Sequence, residues 1–318
     1  NNRAHVVGDV DGVEGVFQLL TLFTFDAARN AASTRVVWHQ HEVTTGQRNE
    51  GRQGCALVAA LFLHDLHQDD LAALRSAWLA HGVIFLRDQP LTPGQFLAFA
   101  QAIGTPVEYP FVSGISGFPV IIEVKKLAHE KVNFGGVWHS DTAYLEQPPM
   151  ATLLLAREVP PYGGDTLFAN QVLAYEALSD GMKQLLDPLV AVNTSAKADV
   201  TRTREDRLAE SGRADANRHY EAEHPVVRTH PETGRKALYV NCAHTTRFVG
   251  MTEEESAPLL QFLFTHQKKE EFTCRFRWQV GSLALWDNRC THHYPVNDYH
   301  GFRRVMHRIT LAGDRPRW

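Results

Sequence analysis

The pair His139-Asp141, in the string Val137-Trp138-His139-Ser140-Asp141-Thr142, constrains this chain more than any other feature. On a strand or at its end, residues two apart project to one face, so an imidazole and a carboxylate can reach one metal ion from the same side. A facial site of two histidines and one carboxylate needs its third ligand from a distant segment, and it leaves three coordination positions open. A fold that meets this demand must bring separate strands side by side. The C-terminal part offers Leu285-Trp286-Asp287-Asn288-Arg289-Cys290-Thr291-His292-His293-Tyr294, an apolar strand leading into a polar turn that carries histidine. Beyond it, Arg304 and Arg308 are an even number of residues apart, so a single strand shows both on one face. Guanidinium groups grip planar anions with paired hydrogen bonds. Surface arginines in salt bridges are the plainer reading of the same pair.

A histidine two residues before an aspartate is cheap by itself. The chain has another, His67-Gln68-Asp69, but there Asp69 opens an amphipathic helix and is explained as a cap and dipole partner. His39-Gln40-His41 lies in a stretch with no carboxylate at useful spacing and reads as solvated histidines. With 17 histidines against 4 methionines, position relative to Asp141 and Arg304 has to sort ligands from bystanders.

The net charge of −4 in 318 residues gives no basic excess, so neither nucleic acid nor an anionic membrane surface is an expected partner. The most apolar early run, Phe17 to Phe25, is about half the ~20 residues of a spanning helix. It lacks the basic flank and small-residue cleavage site of a signal peptide. Cys55, Cys242, Cys274 and Cys290 show no CxxC spacing, which fits reduced thiols and a cytoplasmic protein.

Residues 1–64 show neither a helical nor a strand period and begin without Met. They are expected to form an atypical N-terminal segment, poorly ordered or misassigned, ahead of a domain over 65–318. From there the pattern is legible. Leu71, Leu74, Trp78 and Leu79 line one helix face, stopped by Gly82. Val83 to Leu86 reads as a buried strand. Thr92-Pro93-Gly94-Gln95 is a capping box with Pro at the first helical position, opening a helix through Ile103. Strands are expected at 120–124, 150–155, 226–227, 237–240, 273–278, 282–286 and 305–311. Asn170, and Ser179-Asp180, can cap further helices. Thr252 to Glu255 forms a second capping box, although Pro258 predicts that this helix begins later. The polar segment 195–223 reads as a solvated insertion, a mobile helix or lid.

Taken together, residues 81–95 (HGVIFLRDQPLTPGQ), 138–170 (WHSDTAYLEQPPMATLLLAREVPPYGGDTLFAN), 224–241 and 286–308 (WDNRCTHHYPVNDYHGFRRVMHR) resemble the taurine dioxygenase (TauD/TfdA) family of Fe(II)/2-oxoglutarate-dependent dioxygenases. The resemblance runs from about Asp65 to Trp318. It implies a mainly β fold with flanking helices, built on a double-stranded β-helix, the cupin-like jelly roll. It implies Fe(II) on His139, Asp141 and His293, the last chosen over His292 because His293-Tyr294 matches the family's histidine-tyrosine pair. It implies 2-oxoglutarate held at its distal carboxylate by Arg304 and the hydroxyl of Thr166, and a substrate anion facing Arg308. The implied reaction consumes O₂ and yields succinate and CO₂ while a substrate carbon is hydroxylated, with loss of any heteroatom group that carbon carries. A homo-oligomer, dimer or tetramer, is also implied.

The chain departs from the taurine-specific members of that family. Tyr109 stands at a histidine position, Val112 at a tyrosine position, and His244 replaces a phenylalanine. Gly135 replaces an asparagine, with Asn133 nearby. Tyr109, His244 and Asn133 therefore join Arg308 as candidate substrate contacts, although Tyr109 and His244 read equally well as packed core residues with satisfied polar tips. The expected substrate is a small anion, a sulfonate or a carboxylate, other than taurine. The alternative class is a non-catalytic jelly roll that binds a metal or small acid. A zinc hydrolase leaves Arg304 and Thr166 without purpose.

Overall fold

The computed structural model describes residues 68–133, 135–197 and 219–318, with two further strands at Val37–Gln40 (β1) and Leu57–Ala60 (β2). The other residues of the 1–64 segment, and 198–218 of the expected insertion, lie outside the described residues. Gln68–His81 (α1) leads into Val83–Leu86 (β3), and Pro93–Ile103 (α2) leads into Pro106–Val107 (β4). Then come Ile122–Lys126 (β5), Ala151–Glu158 (β6), Thr166–Asn170 (β7), Gln171–Glu176 (α3), Asp180–Leu186 (α4) and Val190–Thr194 (β8). The chain continues through Glu221–Pro225 (β9), Val227–Thr229 (β10), Lys236–Leu238 (β11), Thr245–Phe248 (β12) and Glu253–His266 (α5). It closes with Thr273–Phe276 (β13), Leu283–Asp287 (β14), Thr291–Pro295 (β15) and Arg304–Leu311 (β16).

Two sheets face each other. The larger runs β1-β2-β3-β14-β6-β16-β4, with β5 also paired to β16, and the smaller runs β13-β7-β15. The strand period explains how the larger sheet is covered on both faces. Ile84, Leu86, Leu153, Leu155, Leu283, Leu285, Ile309 and Leu311 point one way, into a core shared with Leu74 and Trp78 of α1 and with Phe96 and Phe99 of α2. Their neighbours Val83, Phe85, Leu154, Ala156, Ala284, Trp286 and Met306 point the other way and meet Phe168, Cys274 and Phe276 of the smaller sheet. This is the double-stranded β-helix with flanking helices. A third cluster, including Leu186, Val226, Leu238, Phe248, Leu260 and Leu263, ties α4 and α5 to the strands from β10 to β12.

The helix starts follow their caps. Thr92 and Gln95 complete a reciprocal box at α2, Asn170 caps α3, and Ser179 caps α4. The expected late start of α5 is not what forms. Thr252 and Glu255 exchange both cap bonds, and the helix begins at Glu253 with Pro258 inside it. Pro258 removes one backbone bond, and the cap together with the buried Leu260 and Leu263 outweighs that loss. Two strands that the sequence pattern did not reveal, β7 and β15, turn out to carry the site.

The turn joining β14 to β15 is clamped by buried charge. Asp287 Oδ1 accepts from the backbone N–H and Nε of Arg289, and Oδ2 accepts from Arg289 Nη2 at 2.6 Å and His230 Nε2 at 2.9 Å. Arg289 Nη1 also reaches Glu232 at 2.7 Å. Burial alone raises the Asp287 carboxyl, but the hydrogen bonds from Arg289 and His230 win and pull it down to about 2. His230, Asp287 and Cys290 lie close enough together to resemble a metal site. His230 Nδ1, however, accepts from the N–H groups of Glu232 and Thr233, so both of its ring nitrogens are engaged and the knot is structural. Arg289→Met strips Asp287 of its strongest partner inside the protein. We expect it to lower unfolding stability by roughly 3–5 kcal/mol, read by urea denaturation.

Candidate iron and 2-oxoglutarate site

A pair of backbone bonds builds the site. His139 N–H donates to His293 O at 3.1 Å, and His293 N–H donates to His139 O at 2.8 Å. This isolated antiparallel bridge sets the loop before β6 against β15 and puts the two imidazole centroids 4.1 Å apart. His139 thus sits in a bridge rather than in a strand, and Asp141 opens the turn that follows. Asp141 Oδ1 is 3.8 Å from His139 Nε2 and 3.9 Å from His293 Nε2. These three buried donors are close enough together to hold one ion. His292, one residue away, points to the opposite face, where it lines a crevice with Trp138 and Cys242.

Two of the three donors are oriented from behind, while His293 Nδ1 is buried without a hydrogen-bond partner. His139 Nδ1–H donates to Val137 O at 2.7 Å, which leaves the Nε2 lone pair for a metal. Gly135 makes room for this ring: its φ is +72°, and a Cβ there would lie 2.8 Å from His139 Cε1. Asp141 Oδ2, the oxygen turned away from the histidines, accepts from Thr152 Oγ1 at 2.6 Å. Thr152 in turn accepts from Asn288 Nδ2 at 2.9 Å, and Asn288 Oδ1 accepts from Trp286 Nε1 at 2.9 Å. Burial opposes the charge on Asp141, but Arg308, then His293 and His139, hold the carboxyl well below its usual range. Burial pulls His139 and His293 below the ordinary histidine value, so both stay neutral and able to ligate.

Two arginines lie on the inner face of β16, on either side of Met306, and serve different neighbourhoods. Arg308 Nη2 is 2.9 Å from Asp141 Oδ1, and its guanidinium lies 5.2 Å from the Tyr109 ring centroid. Tyr109 hydrogen-bonds Tyr144, and the two pack with Phe111 and Ile122. His244 stands edge-on to Tyr144 at 4.9 Å and 6.2 Å from the His139 ring. It is buried with Nδ1 unpartnered, and burial pushes it down to about 3, so it is neutral. Arg304 lies against Trp278 at 5.7 Å, and its Nε and Nη2 have no hydrogen-bond partner despite burial. Trp278 Nε1 donates to Thr166 Oγ1 at 3.0 Å, which leaves the Thr166 proton for an acceptor. A buried guanidinium with unpartnered N–H groups beside a free hydroxyl donor is suited to a carboxylate.

The structure thus gathers His139, Asp141 and His293 with Arg308, Tyr109 and His244 on one side and Arg304 and Thr166 near Trp278. Asn133 belongs to the Arg304 side: its Nδ2 donates to Pro295 O at 3.1 Å, and it bonds Tyr299. Sequence reading missed Tyr144, Trp278, Asn288 and Thr152. Only Thr152 left a trace, as a hydroxyl on the inward phase of the apolar strand β6.

The family model for the taurine catabolism dioxygenase TauD, TfdA family matches residues 53–310. The chain belongs to this family. It is 34% identical over 273 residues to an alpha-ketoglutarate-dependent sulfate ester dioxygenase of Pseudomonas putida, covering 84% of this chain and 88% of that one. It is 35% identical over 271 residues to an alkylsulfatase of Acinetobacter baylyi, covering 83% of each. A crystal structure of a taurine dioxygenase from Burkholderia xenovorans superposes with a TM-score of 0.70 at 34% identity, over 82% of this chain and 87% of that one. The protein is an oxidoreductase of the 2-oxoglutarate-dependent dioxygenase class, and its cofactors are Fe(II) and 2-oxoglutarate. The donor set and the unpartnered Arg304 fit both.

Thr152→Val keeps the shape and removes the proton that orients Asp141. We expect a metal affinity roughly 10–100-fold weaker, with Thr152→Ser restoring most of it, read by equilibrium dialysis with Mn(II).

Proposed function

We propose that the chain oxidises small organic sulfates, with alkyl sulfate esters as the leading class, using His139, Asp141 and His293 as iron ligands. When bound, Fe(II) and 2-oxoglutarate supply O₂ activation: 2-oxoglutarate becomes succinate and CO₂ as one oxygen atom enters a substrate C–H bond. The residues of the chain do the positioning. Arg304 and Thr166 hold the distal carboxylate of 2-oxoglutarate, with Asn133 fixing the wall beside them. Arg308 draws the substrate anion to within reach of the iron ligands. Tyr109, Tyr144 and neutral His244 shape the cavity around it and exclude water.

The observation that carries this reading is the buried guanidinium of Arg308, 2.9 Å from the carboxylate of the ligand triad. It binds an anion and fixes how far that anion stands from the iron. The likeness to the Pseudomonas sulfate ester dioxygenase and the Acinetobacter alkylsulfatase makes a sulfate ester the first anion to try. Hydroxylation of the carbon that bears the sulfate gives an unstable hemiacetal ester, which collapses to an aldehyde and hydrogen sulfate. The small-molecule partners are the anionic substrate and O₂. Among the described residues no helix is long and apolar enough to cross a membrane. We place the enzyme in the cytoplasm, consistent with the free thiols of Cys242 and Cys290, and read it as a homo-oligomer.

A panel of alkyl sulfates, sulfonates including taurine, and aryloxyalkanoates, scored by O₂-dependent succinate, tests the reading. Succinate and inorganic sulfate released together from an alkyl sulfate support it; coupling to carboxylates alone overturns the sulfate assignment. His139→Ala is expected to bring succinate to background. Arg308→Gln is expected to raise KM for the anion by roughly a hundredfold while 2-oxoglutarate binding holds.

A further inference from the structure

Beside Arg304 lies a second buried cation with no role so far. Lys126 is the register partner of Arg304 across the antiparallel pair of β5 and β16, so both side chains leave the same face of the sheet. Lys126 is 4% exposed, and its ammonium has no hydrogen-bond partner. Its neighbour Lys125 pairs with Glu123 at 2.5 Å, as an ordinary surface lysine does. Lys126 Nζ instead stands 4.4 Å from the centroid of the Tyr299 ring.

Tyr299 is itself buried and borders Arg304. A Cβ on Gly164 would meet Tyr299 Cδ1 at 3.3 Å and Arg304 Cδ at 3.4 Å, so these groups form one wall, kept open by a glycine at φ +69°. The nearby carboxylates offset the two buried cations only in part: Asp165 Oδ2 accepts from Arg275 at 2.7 Å while its buried Oδ1 has no hydrogen-bond partner and its charge acts on Arg304, and Glu130 Oε2 accepts from the Leu127 N–H at 2.5 Å. Two buried cations on directly opposed strand positions are unfavourable twice over, through lost hydration and through mutual repulsion. The π face of Tyr299 offsets only part of that. A carboxylate shared by both removes both penalties.

We propose that Lys126 is a second cationic contact for the distal carboxylate of 2-oxoglutarate, acting with Arg304 and Thr166 to select a dicarboxylate over a monocarboxylate 2-oxo acid. This rests on the co-substrate placement above. Arg304 supplies planar, directional donors, and Lys126 adds a compact charge that needs no fixed angle.

The test compares the full chain with Lys126→Met, which keeps length and removes charge, and with Lys126→Arg. Each Fe(II)-loaded protein is titrated anaerobically, by calorimetry, with 2-oxoglutarate and with 2-oxopentanoate. Mn(II) binding and thermal unfolding of the ligand-free proteins are measured alongside. The expected result for Lys126→Met is a loss of about tenfold or more in 2-oxoglutarate affinity, with 2-oxopentanoate and Mn(II) binding unchanged and a ligand-free midpoint no lower than that of the parent. Lys126→Arg is expected to restore most of the loss. If Lys126→Met fails to fold, Lys126→Gln carries the same comparison. Unchanged 2-oxoglutarate affinity in the charge-removed variant overturns the proposal and leaves the co-substrate placement standing. A parent protein that does not bind 2-oxoglutarate overturns both.

Discussion

The reciprocal backbone bonds between His139 and His293 are the constraint on which the rest of the structure depends. They are short-range in space and long-range in sequence. Loop closure of that length is unfavourable on its own, so the bridge forms only because the two sheets are already held in register by the strands around it. Given the bridge, two imidazoles face one carboxylate, and the loop that supplies Asp141 has little freedom left. Thr142, at φ 44°, marks where the chain bends sharply to achieve this, a conformation costly for a β-branched residue.

The larger sheet makes that cost bearable. Because both of its faces are buried, one phase of each strand packs against helices and the other against the second sheet. Stability therefore comes from residues remote from the chemistry, and the inner phase is free to include a few polar groups. Thr152, Arg304 and Arg308 all use that phase. Each disturbs an otherwise apolar layer, and each is placed where a charge or a hydroxyl meets the ligand set or its surroundings. The Asp287-Arg289-His230 knot plays the matching role at the turn that feeds β15. It fixes the approach to His293 without contributing to the site.

Much of this was legible in the sequence because it is local. Helix starts are written in their caps, and α2, α3 and α4 begin where Thr92, Asn170 and Ser179 place them. The strand at Val83–Leu86 is a short apolar run, and the shared face of Arg304 and Arg308 follows from parity. The triad followed from resemblance to the family's motif strings. What could not be read is set by contacts between distant segments. Thr152 looks like any strand residue until Asp141 folds over it, and Tyr144 acquires meaning only beside Tyr109 and His244. Strands β7 and β15 are short and mixed in character, so pairing with each other rather than their own pattern defines them. Pro258 belongs with them: its local penalty is overridden by tertiary packing that no local pattern shows.

The bridge turns His293, and not the adjacent His292, toward His139 and Asp141, so His293 is the residue expected to complete a metal site. Anaerobic equilibrium dialysis with Fe(II) on the parent chain, His292→Ala and His293→Ala tests it directly. The expected result is a single tightly held Fe(II) per chain in the parent and in His292→Ala, and its loss in His293→Ala. Retention of Fe(II) by His293→Ala together with its loss from His292→Ala would overturn the assignment of His293.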